Sequence, residues 1–145
     1  MLACDLVVAA ENAKFGIPEV KRGLVAAGGG LIRLPRRIPP QVAMEYALTG
    51  DFFSAADGHR YGLVNRVTEP GGALAGALEL AERITANAPL AIAATKEIIA
   101  RSADWTSDDM FRRQEDLVRP ILESADAREG ASAFAEKRAP AWRGE

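Results

Sequence analysis

The apolar positions in the first part of the chain occur in short runs. Residues 6–10 form an uninterrupted apolar run with two valines, which is typical of a strand buried on both faces. The few further strand candidates are residues 14–16 and 63–67. A strand that is buried on both faces needs paired neighbours at both edges, so the pattern predicts that sheet partners of residues 6–10 are missing from these segments.

Glycine and proline residues predict three short helices in the same part of the chain. A glycine-rich loop over residues 23–30 precedes the first helix, and a pair of prolines opens the second. Ser54 is the predicted N-cap of the third helix. The predicted helices cover residues 31–34, 41–48 and 55–61.

After the turn Pro70-Gly71-Gly72 the pattern is helical almost to the end. Residues 74–84 repeat apolar positions with the spacing of an amphipathic helix, and residues 90–102 predict a second helix. Ser107 and Ser124 are the predicted caps of the two helices that follow. The pattern therefore divides the chain into an α/β part, residues 1–69, and a helical part, residues 70–145.

The charge balance excludes several classes of protein. The chain has 18 basic and 20 acidic residues and no basic run longer than a pair, so we expect no nucleic-acid partner. The longest uncharged apolar run, residues 24–32, is only about half a bilayer span, and no membrane-spanning helix is expected. The first residues lack the basic and apolar regions of a signal peptide, and a reducing cytoplasm is the expected location.

A single cysteine, Cys4, and a single histidine, His59, limit the chemistry that the chain can perform. They exclude an internal disulfide and the usual Cys/His metal sites, so no metal is expected. Catalysis would rest on carboxylates, hydroxyls, lysines or backbone amides. We expect Cys4, beside the predicted strand, to be a small core residue, and His59 to have a surface or packing role.

Several segments, in this order, resemble the enoyl-CoA hydratase/isomerase (crotonase) superfamily. They are CDLVVAA (residues 4–10), FGIPE (15–19), GLVAAGGG (23–30), RLP (33–35), AME (43–45), LTG (48–50), SA (54–55), GLVN (62–65), AP (88–89), Lys96, EG (129–130) and AFAEKR (133–138). The resemblance covers essentially the whole chain. It implies an α/β fold, a crotonase-like spiral of ββα turns truncated at its N-terminus, with a helical C-terminal trimerisation region.

The same resemblance implies that part of the active site lies outside this sequence. Family members are nearly twice as long, and Met1 would fall inside the active-site helix. The two backbone amides of the oxyanion hole, and often a second catalytic glutamate, would lie upstream. An isolated chain is therefore expected to be incomplete as an enzyme.

The resemblance places Glu19 at the family's catalytic Pro-Glu position. Hydration adds water across the α,β double bond of a thioester, and two carboxyls around one water can divide the proton transfers. On this reading Glu19 protonates Cα, and its partner lies upstream. A glutamate that follows a proline is otherwise most commonly a solvated surface residue.

Phe134 and Lys137 match the C-terminal pair that, in family hexamers, reaches the coenzyme A of a neighbouring subunit. A lysine ammonium suits a phosphate dianion. The alternative is an apolar anchor followed by a solvated lysine. The glycines at 28–30 have no P-loop signature, and we interpret them as a place where the backbone packs closely at a helix start.

The family resemblance implies an enoyl-CoA hydratase-like lyase of acyl-CoA (fatty-acid) metabolism, which adds water across the 2-enoyl-CoA double bond. No cofactor is implied beyond the coenzyme A on the substrate. Two alternatives stay open: an enoyl-CoA isomerase, and a catalytically inert crotonase-fold assembly module. The implied partners are an acyl-CoA thioester and either a homo-oligomer, trimer or hexamer, or the missing N-terminal half. The candidate contact residues for assembly are Met110, Leu117, Ile121 and Phe134.

Overall fold

Four short strands form two separate two-stranded sheets in the computed structural model, which describes residues 1–145. β1 (Val8–Ala10) pairs in parallel with β4 (Arg66–Thr68). β2 (Lys14–Phe15) pairs antiparallel with β3 (Phe53–Ser54). Each strand therefore has one edge without a partner strand within this chain, and isolated pairs of this kind are marginally stable.

The first strand is shorter and more one-sided than the apolar run 6–10 predicts. Val7 and Ala9 are buried, whereas Leu6 is 45% exposed. Burial that alternates along a strand indicates one covered face. The prediction of a strand buried on both faces is met only in part, because Val7 and Ala9 enter a core with Ala55 and Val64 whereas Val8 on the other face is half-buried.

The three helices predicted from glycine, proline and serine are confirmed. They are α1 (Gly30–Arg33), α2 (Pro40–Thr49) and α3 (Ala55–Arg60). Gly50 ends α2 in the left-handed conformation, with φ 66°, which glycine adopts without a steric penalty. Ser54 caps α3 in a capping box, since its hydroxyl accepts the Asp57 N–H at 3.0 Å and the Asp57 carboxylate accepts the Ser54 N–H.

The predicted strand over residues 63–67 begins three residues later, at Arg66. The backbone N–H groups of Leu63 and Val64 both donate to the Gly58 carbonyl, at 2.8 and 3.1 Å. These bonds close the end of α3 and keep both residues out of a ladder. Leu63 and Val64 are nevertheless fully buried. The main core cluster joins Leu63 to four further buried residues, Leu34, Ile38, Ala43 and Phe53.

Four longer helices make up most of the remaining chain: α4 (Ala73–Thr85), α5 (Pro89–Arg101), α6 (Met110–Leu122) and α7 (Ala125–Glu136). The chain forms two compact units, Met1–Leu80 (the first unit) and Ala81–Glu145 (the second unit), which divide inside α4. The expected domain boundary after residue 69 stays a prediction. None of the helices has the length and apolar character that crossing a membrane requires.

The two serine caps predicted for the last helices have different outcomes. Ser124 caps α7, because its hydroxyl accepts the Ala127 N–H at 3.0 Å. Ser107 does not cap α6. The N–H groups of Asp109 and Met110 both donate to the Thr106 carbonyl, so residues 106–109 form a turn and the helix begins after Asp109.

The predictions for the single cysteine and the single histidine also have different outcomes. Cys4 is exposed, so the prediction of a core position is wrong. It lies in the turn that precedes β1, where its N–H donates to the Met1 carbonyl at 2.9 Å. His59 is exposed, in agreement with the predicted surface or packing role, and its Nδ1 donates to the Val64 carbonyl at 2.9 Å.

Candidate active site

Glu19 lies in a 3₁₀ segment, Pro18–Arg22, which follows β2. Pro18 occupies the first turn, where its fixed φ suits a helical conformation. Gly23 ends the segment with φ 68°, and the Leu24 N–H donates to the Glu19 carbonyl at 3.1 Å. The backbone around Glu19 is therefore held as a single closed turn.

Two contacts attach this 3₁₀ segment to the end of α2. The Lys21 ammonium donates to the Asp51 carboxylate at 2.7 Å, and this bond lowers the pKa of Asp51. Gly50 lies so close to the segment that a Cβ there would be 2.9 Å from Lys21 Cγ. Gly50 thus combines a positive φ with a close approach, and both conditions exclude larger residues.

An apolar cavity of about 390 Å³ opens beside Glu19. Its walls come from the glycine-rich loop, from the region of α1 and from α2. Representative wall residues are Val25, Ala26, Leu31, Leu34, Met44 and Leu48. Every other lining side chain is also aliphatic or proline, so Glu19 is the single titratable group of the cavity wall.

The Glu19 carboxyl lacks the hydrogen bonds that a buried polar group normally has. Its Oε2 atom is buried and has no hydrogen-bond partner. Buried polar atoms are nearly always hydrogen-bonded in proteins, because leaving them unpaired costs free energy. Glu19 therefore combines a position on the cavity wall with a carboxyl oxygen that is committed to no structural hydrogen bond.

The glycine loop has the expected close packing at two of its last three residues. A Cβ on Gly30 would lie 3.2 Å from Ile17 Cδ1, and one on Gly29 would clash with the Arg33 guanidinium. Gly28 faces open space. Residues 28–30 also line a second cavity of about 270 Å³ together with Arg33 and the first three residues of the chain.

Glu19 belongs to the first unit, whereas Phe134 and Lys137 belong to the second. Phe134 is 88% exposed at the end of α7. Lys137 ends this helix in the left-handed conformation, with φ 55° and ψ 38°. It is the only non-glycine residue with a positive φ, a conformation that costs free energy in residues with a Cβ.

A carboxylate–guanidinium pair fixes the chain just after Lys137. Arg138 binds both carboxylate oxygens of Glu129, at 2.6 and 2.9 Å, and the Ala141 N–H also donates to Glu129 at 2.8 Å. The bond from Arg138, followed by that from Ala141, lowers the pKa of Glu129 to about 2. The two partners are nine positions apart, a spacing that no local pattern marks, and the sequence did not predict the pair.

The C-terminal residues fold back on the start of α7. Asp126 is only 3% exposed, and its carboxylate accepts the N–H groups of Arg143 and Gly144 at 2.7 and 3.0 Å. The Trp142 indole N–H donates to the Ala86 carbonyl at 2.8 Å. These bonds hold residues 142–144 in place. Sequence reasoning missed Asp126, because its bonds to residues 17 and 18 positions away leave no local signal.

The candidate assembly surface differs in part from the predicted one. Phe134 is exposed as expected, but Met110, Leu117 and Ile121 are half-buried within the chain. The large apolar side chains exposed on helices of the second unit are Ile99, Phe111, Leu122 and Phe134. Exposed apolar side chains favour association where they form one continuous patch. Assembly itself stays a prediction.

A carboxyl group set in an apolar cavity is the kind of site at which general acid–base chemistry takes place on an apolar substrate. The chain belongs to the enoyl-CoA hydratase/isomerase family, whose model matches residues 1–145. The family predicted from the sequence and its crotonase-like α/β fold are thereby confirmed.

Solved structures of relatives superpose on nearly the whole chain. The enoyl-CoA hydratase from Mycobacterium tuberculosis H37Rv is 59% identical, with a TM-score of 0.96 over 99% of this chain and 57% of that one. A probable enoyl-CoA hydratase/isomerase from Mycobacterium abscessus is 62% identical, with a TM-score of 0.92 and the same coverage.

Curated relatives carry a different name. Carnitinyl-CoA dehydratase from Salmonella typhi is 44% identical over 147 residues, which cover 99% of this chain and 56% of the relative. The chain therefore spans little more than half the length of the relatives that it matches.

Proposed function

We propose that this chain provides one half of the active site of an enoyl-CoA hydratase of fatty-acid metabolism. The observation that supports the proposal most strongly is that Glu19 lines the apolar cavity and has a buried, unpaired Oε2 atom. The apolar walls suit the acyl group, and the carboxyl group suits a proton transfer beside it. Family membership supplies the reaction class.

In the proposed reaction the oxygen of water forms a bond to Cβ, and one of its protons passes to a second group. The electron pair of the double bond moves towards the thioester carbonyl, and the Glu19 carboxyl delivers a proton to Cα. Backbone amides that stabilise the developing oxyanion typically provide a large electrostatic contribution. We propose that these amides and the second carboxyl come from the part of the relatives that this chain does not match. The resemblance places that part upstream.

We propose that Phe134 and Lys137 contact the coenzyme A of a substrate bound by a neighbouring subunit of a homo-oligomer. The exposed ring of Phe134 offers a stacking surface for the adenine, and the Lys137 ammonium suits a phosphate. The bonds from Arg138 to Glu129 hold the backbone next to Lys137. The substrate itself carries the coenzyme A, and the proposal requires no other cofactor.

An isomerase remains the second candidate, because the matched family includes both activities. A carboxyl beside Cα could equally move a proton between two carbons of a 3-enoyl thioester. The product distinguishes the two reactions, since only hydration yields a hydroxyl group. An inert assembly module is the third candidate, and the exposed Phe111 and Leu122 are the observation that favours it.

The proposal is tested by complementation. The chain is coexpressed with the segment of the Mycobacterium tuberculosis enoyl-CoA hydratase that it does not match, and loss of the enoyl-thioester absorbance of crotonyl-CoA is followed. We expect negligible turnover by the chain alone and hydration by the complex. Turnover by the chain alone within about tenfold of a typical enzyme median of roughly 10 s⁻¹ would contradict the proposed division of the site.

Assembly is tested on the same samples by light scattering. We expect the purified chain to form oligomers, because the exposed apolar side chains of the second unit would be covered by contact with another chain. Replacing both Phe111 and Leu122 with serine should shift the population towards monomers. A stable monomer of the unmodified chain at micromolar concentration would count against the homo-oligomer.

A further inference from the structure

We infer that Glu129 is a positioning residue for the coenzyme A contact of Lys137, and that it acts through Arg138. The inference deepens the proposed function and rests on it, because Lys137 is proposed above to contact the coenzyme A of a neighbouring subunit's substrate. Glu129 lies within α7, roughly two turns before the helix ends. In this account Glu129 touches no part of the substrate itself.

The backbone of Lys137 has a conformation that its residue type does not favour. Lys137 directly follows the last residue of α7, with φ 55° and ψ 38°. The Arg138 N–H donates to the Ala133 carbonyl at 3.1 Å, and this bond closes the helix as in a Schellman motif. Glycine usually occupies the left-handed position of that motif, because a Cβ is disfavoured there. A non-glycine residue held in this conformation is typical of a functional position.

Side-chain bonds on the C-terminal side of Lys137 hold this turn. The Arg138 guanidinium reaches back along α7 and donates to both carboxylate oxygens of Glu129, at 2.6 and 2.9 Å. The Ala141 N–H donates to the same carboxylate at 2.8 Å. Paired bonds between arginine and a carboxylate fix geometry as well as adding energy. Glu129 therefore holds the chain at two places after Lys137, while the helix holds it before.

The Lys137 ammonium is the cation of this turn that stays available to a ligand. Lys137 is exposed and forms no ion pair within the chain, whereas Arg138 pairs with Glu129 and Glu136. Binding costs less entropy when the backbone that carries the binding group is already fixed. Phe134, the proposed stacking partner of the adenine, lies about one turn earlier on α7. The turn held by Glu129 thus sets the position of the Lys137 backbone relative to Phe134.

The inference is tested by hydration rates of two thioesters in the complex with the unmatched segment of the relative. Crotonyl-CoA carries the adenosine phosphate part, and crotonyl-pantetheine lacks it but has the same reacting group. The ratio of the first kcat/KM to the second is the nucleotide preference. We expect Glu129→Gln to lower this preference at least about threefold, a part of the roughly tenfold that losing one charged hydrogen bond costs. The physical reason is that glutamine offers a single acceptor oxygen to the guanidinium.

Lys137→Gly shows whether Glu129 acts through Lys137. Glycine adopts the left-handed conformation without penalty, so this variant should unfold at no lower denaturant concentration than the unmodified chain. It should lower the nucleotide preference by about tenfold, because it removes the charged contact. Adding Glu129→Gln to Lys137→Gly should lower the preference no further, since both changes remove the same interaction.

A second carboxylate of α7 provides the matched structural control. Asp126 accepts the N–H groups of Arg143 and Gly144, and so holds the chain further from Lys137. Asp126→Asn should lower the free energy of unfolding, because it weakens buried hydrogen bonds. It should keep the nucleotide preference of the unmodified complex.

Several results would overturn the inference and leave hydration by the complex intact. They are equal losses for both thioesters in Glu129→Gln, a changed preference in Asp126→Asn, and a further loss when Glu129→Gln is added to Lys137→Gly. A less stable Lys137→Gly would also overturn it, because the lysine would then serve the fold. An unchanged preference in Lys137→Gly removes the coenzyme A contact as well. Absence of hydration by the unmodified complex overturns the proposed function together with the inference.

Discussion

Asn65 binds both backbone polar groups of Val7. Its side-chain oxygen accepts the Val7 N–H at 2.8 Å, and its own N–H donates to the Val7 carbonyl at 2.8 Å. The pair connects the residue before β1 to the residue before β4 and starts the parallel ladder in which Val8 lies opposite Arg66. The side chain thus replaces a backbone bond at the end of a strand pair only three residues long.

Replacing Asn65 with alanine should destabilise the fold. The Val7 N–H belongs to a buried residue and would lose its acceptor, which typically costs about 1–3 kcal/mol. Chemical denaturation measures the loss, with Asn12→Ala, in an exposed turn, as the control expected within about 0.5 kcal/mol of wild type. Equal free energies of unfolding for the two variants would show that the bond contributes nothing.

A pair of serine variants tests the assignment of the helix caps. Ser54→Ala removes the hydroxyl that accepts the Asp57 N–H, and caps of this kind contribute about 0.5–2 kcal/mol. Ser107→Ala removes a serine that was predicted to cap α6 but lies in the turn before it. We expect a lowered free energy of unfolding only for Ser54→Ala. A larger effect of Ser107→Ala would restore the sequence prediction.

The stability of the second unit should depend on pH through Glu129. Its pKa is about 2 in the folded chain against an ordinary 4.5, so the carboxylate stabilises the fold above about pH 4.5. This stabilisation is lost as the pH falls from 4.5 towards 2, because the unfolded chain binds the proton first. Thermal unfolding across this range should show a steeper acid decline for wild type than for Glu129→Gln.

The control for this measurement is Glu123→Gln, which removes one exposed carboxylate near the same helix. We expect Glu123→Gln to follow the wild-type profile. Identical acid declines in wild type and Glu129→Gln would mean that the pair with Arg138 does not stabilise the folded state.

Local sequence signals predicted the elements whose ends are set by their own residues. Gly50 and Ser54 fix the end of α2 and the start of α3 through their conformation and side chain, and both positions were predictable. β3, Phe53–Ser54, was missed because two residues show no periodicity and depend on β2 for pairing. The extent of β1 was overestimated because apolar composition does not reveal which face a neighbour covers.

Only the residues of the candidate site that belong to the family's motifs were predictable from the sequence. The Pro-Glu motif predicted the position of Glu19. It did not predict the unpaired oxygen of Glu19 or the aliphatic walls of the cavity, which come from segments spread over residues 17–48. The same holds for the bond that the Gly144 N–H donates to the Asp126 carboxylate, which joins residues 18 positions apart. Contacts between distant segments depend on how the whole unit packs, and no local pattern encodes them.

The rate of crotonyl-CoA hydration by the Glu19→Gln complex tests the central claim most directly. Glutamine keeps the size of the side chain but cannot transfer the proton, so the complex formed with the unmatched segment of the relative should lose about 10²–10⁴-fold in kcat. Glu69→Gln, an exposed glutamate next to a proline, should keep the unmodified rate. A Glu19→Gln complex that retains most of its kcat would contradict the role of Glu19 as the acid at Cα.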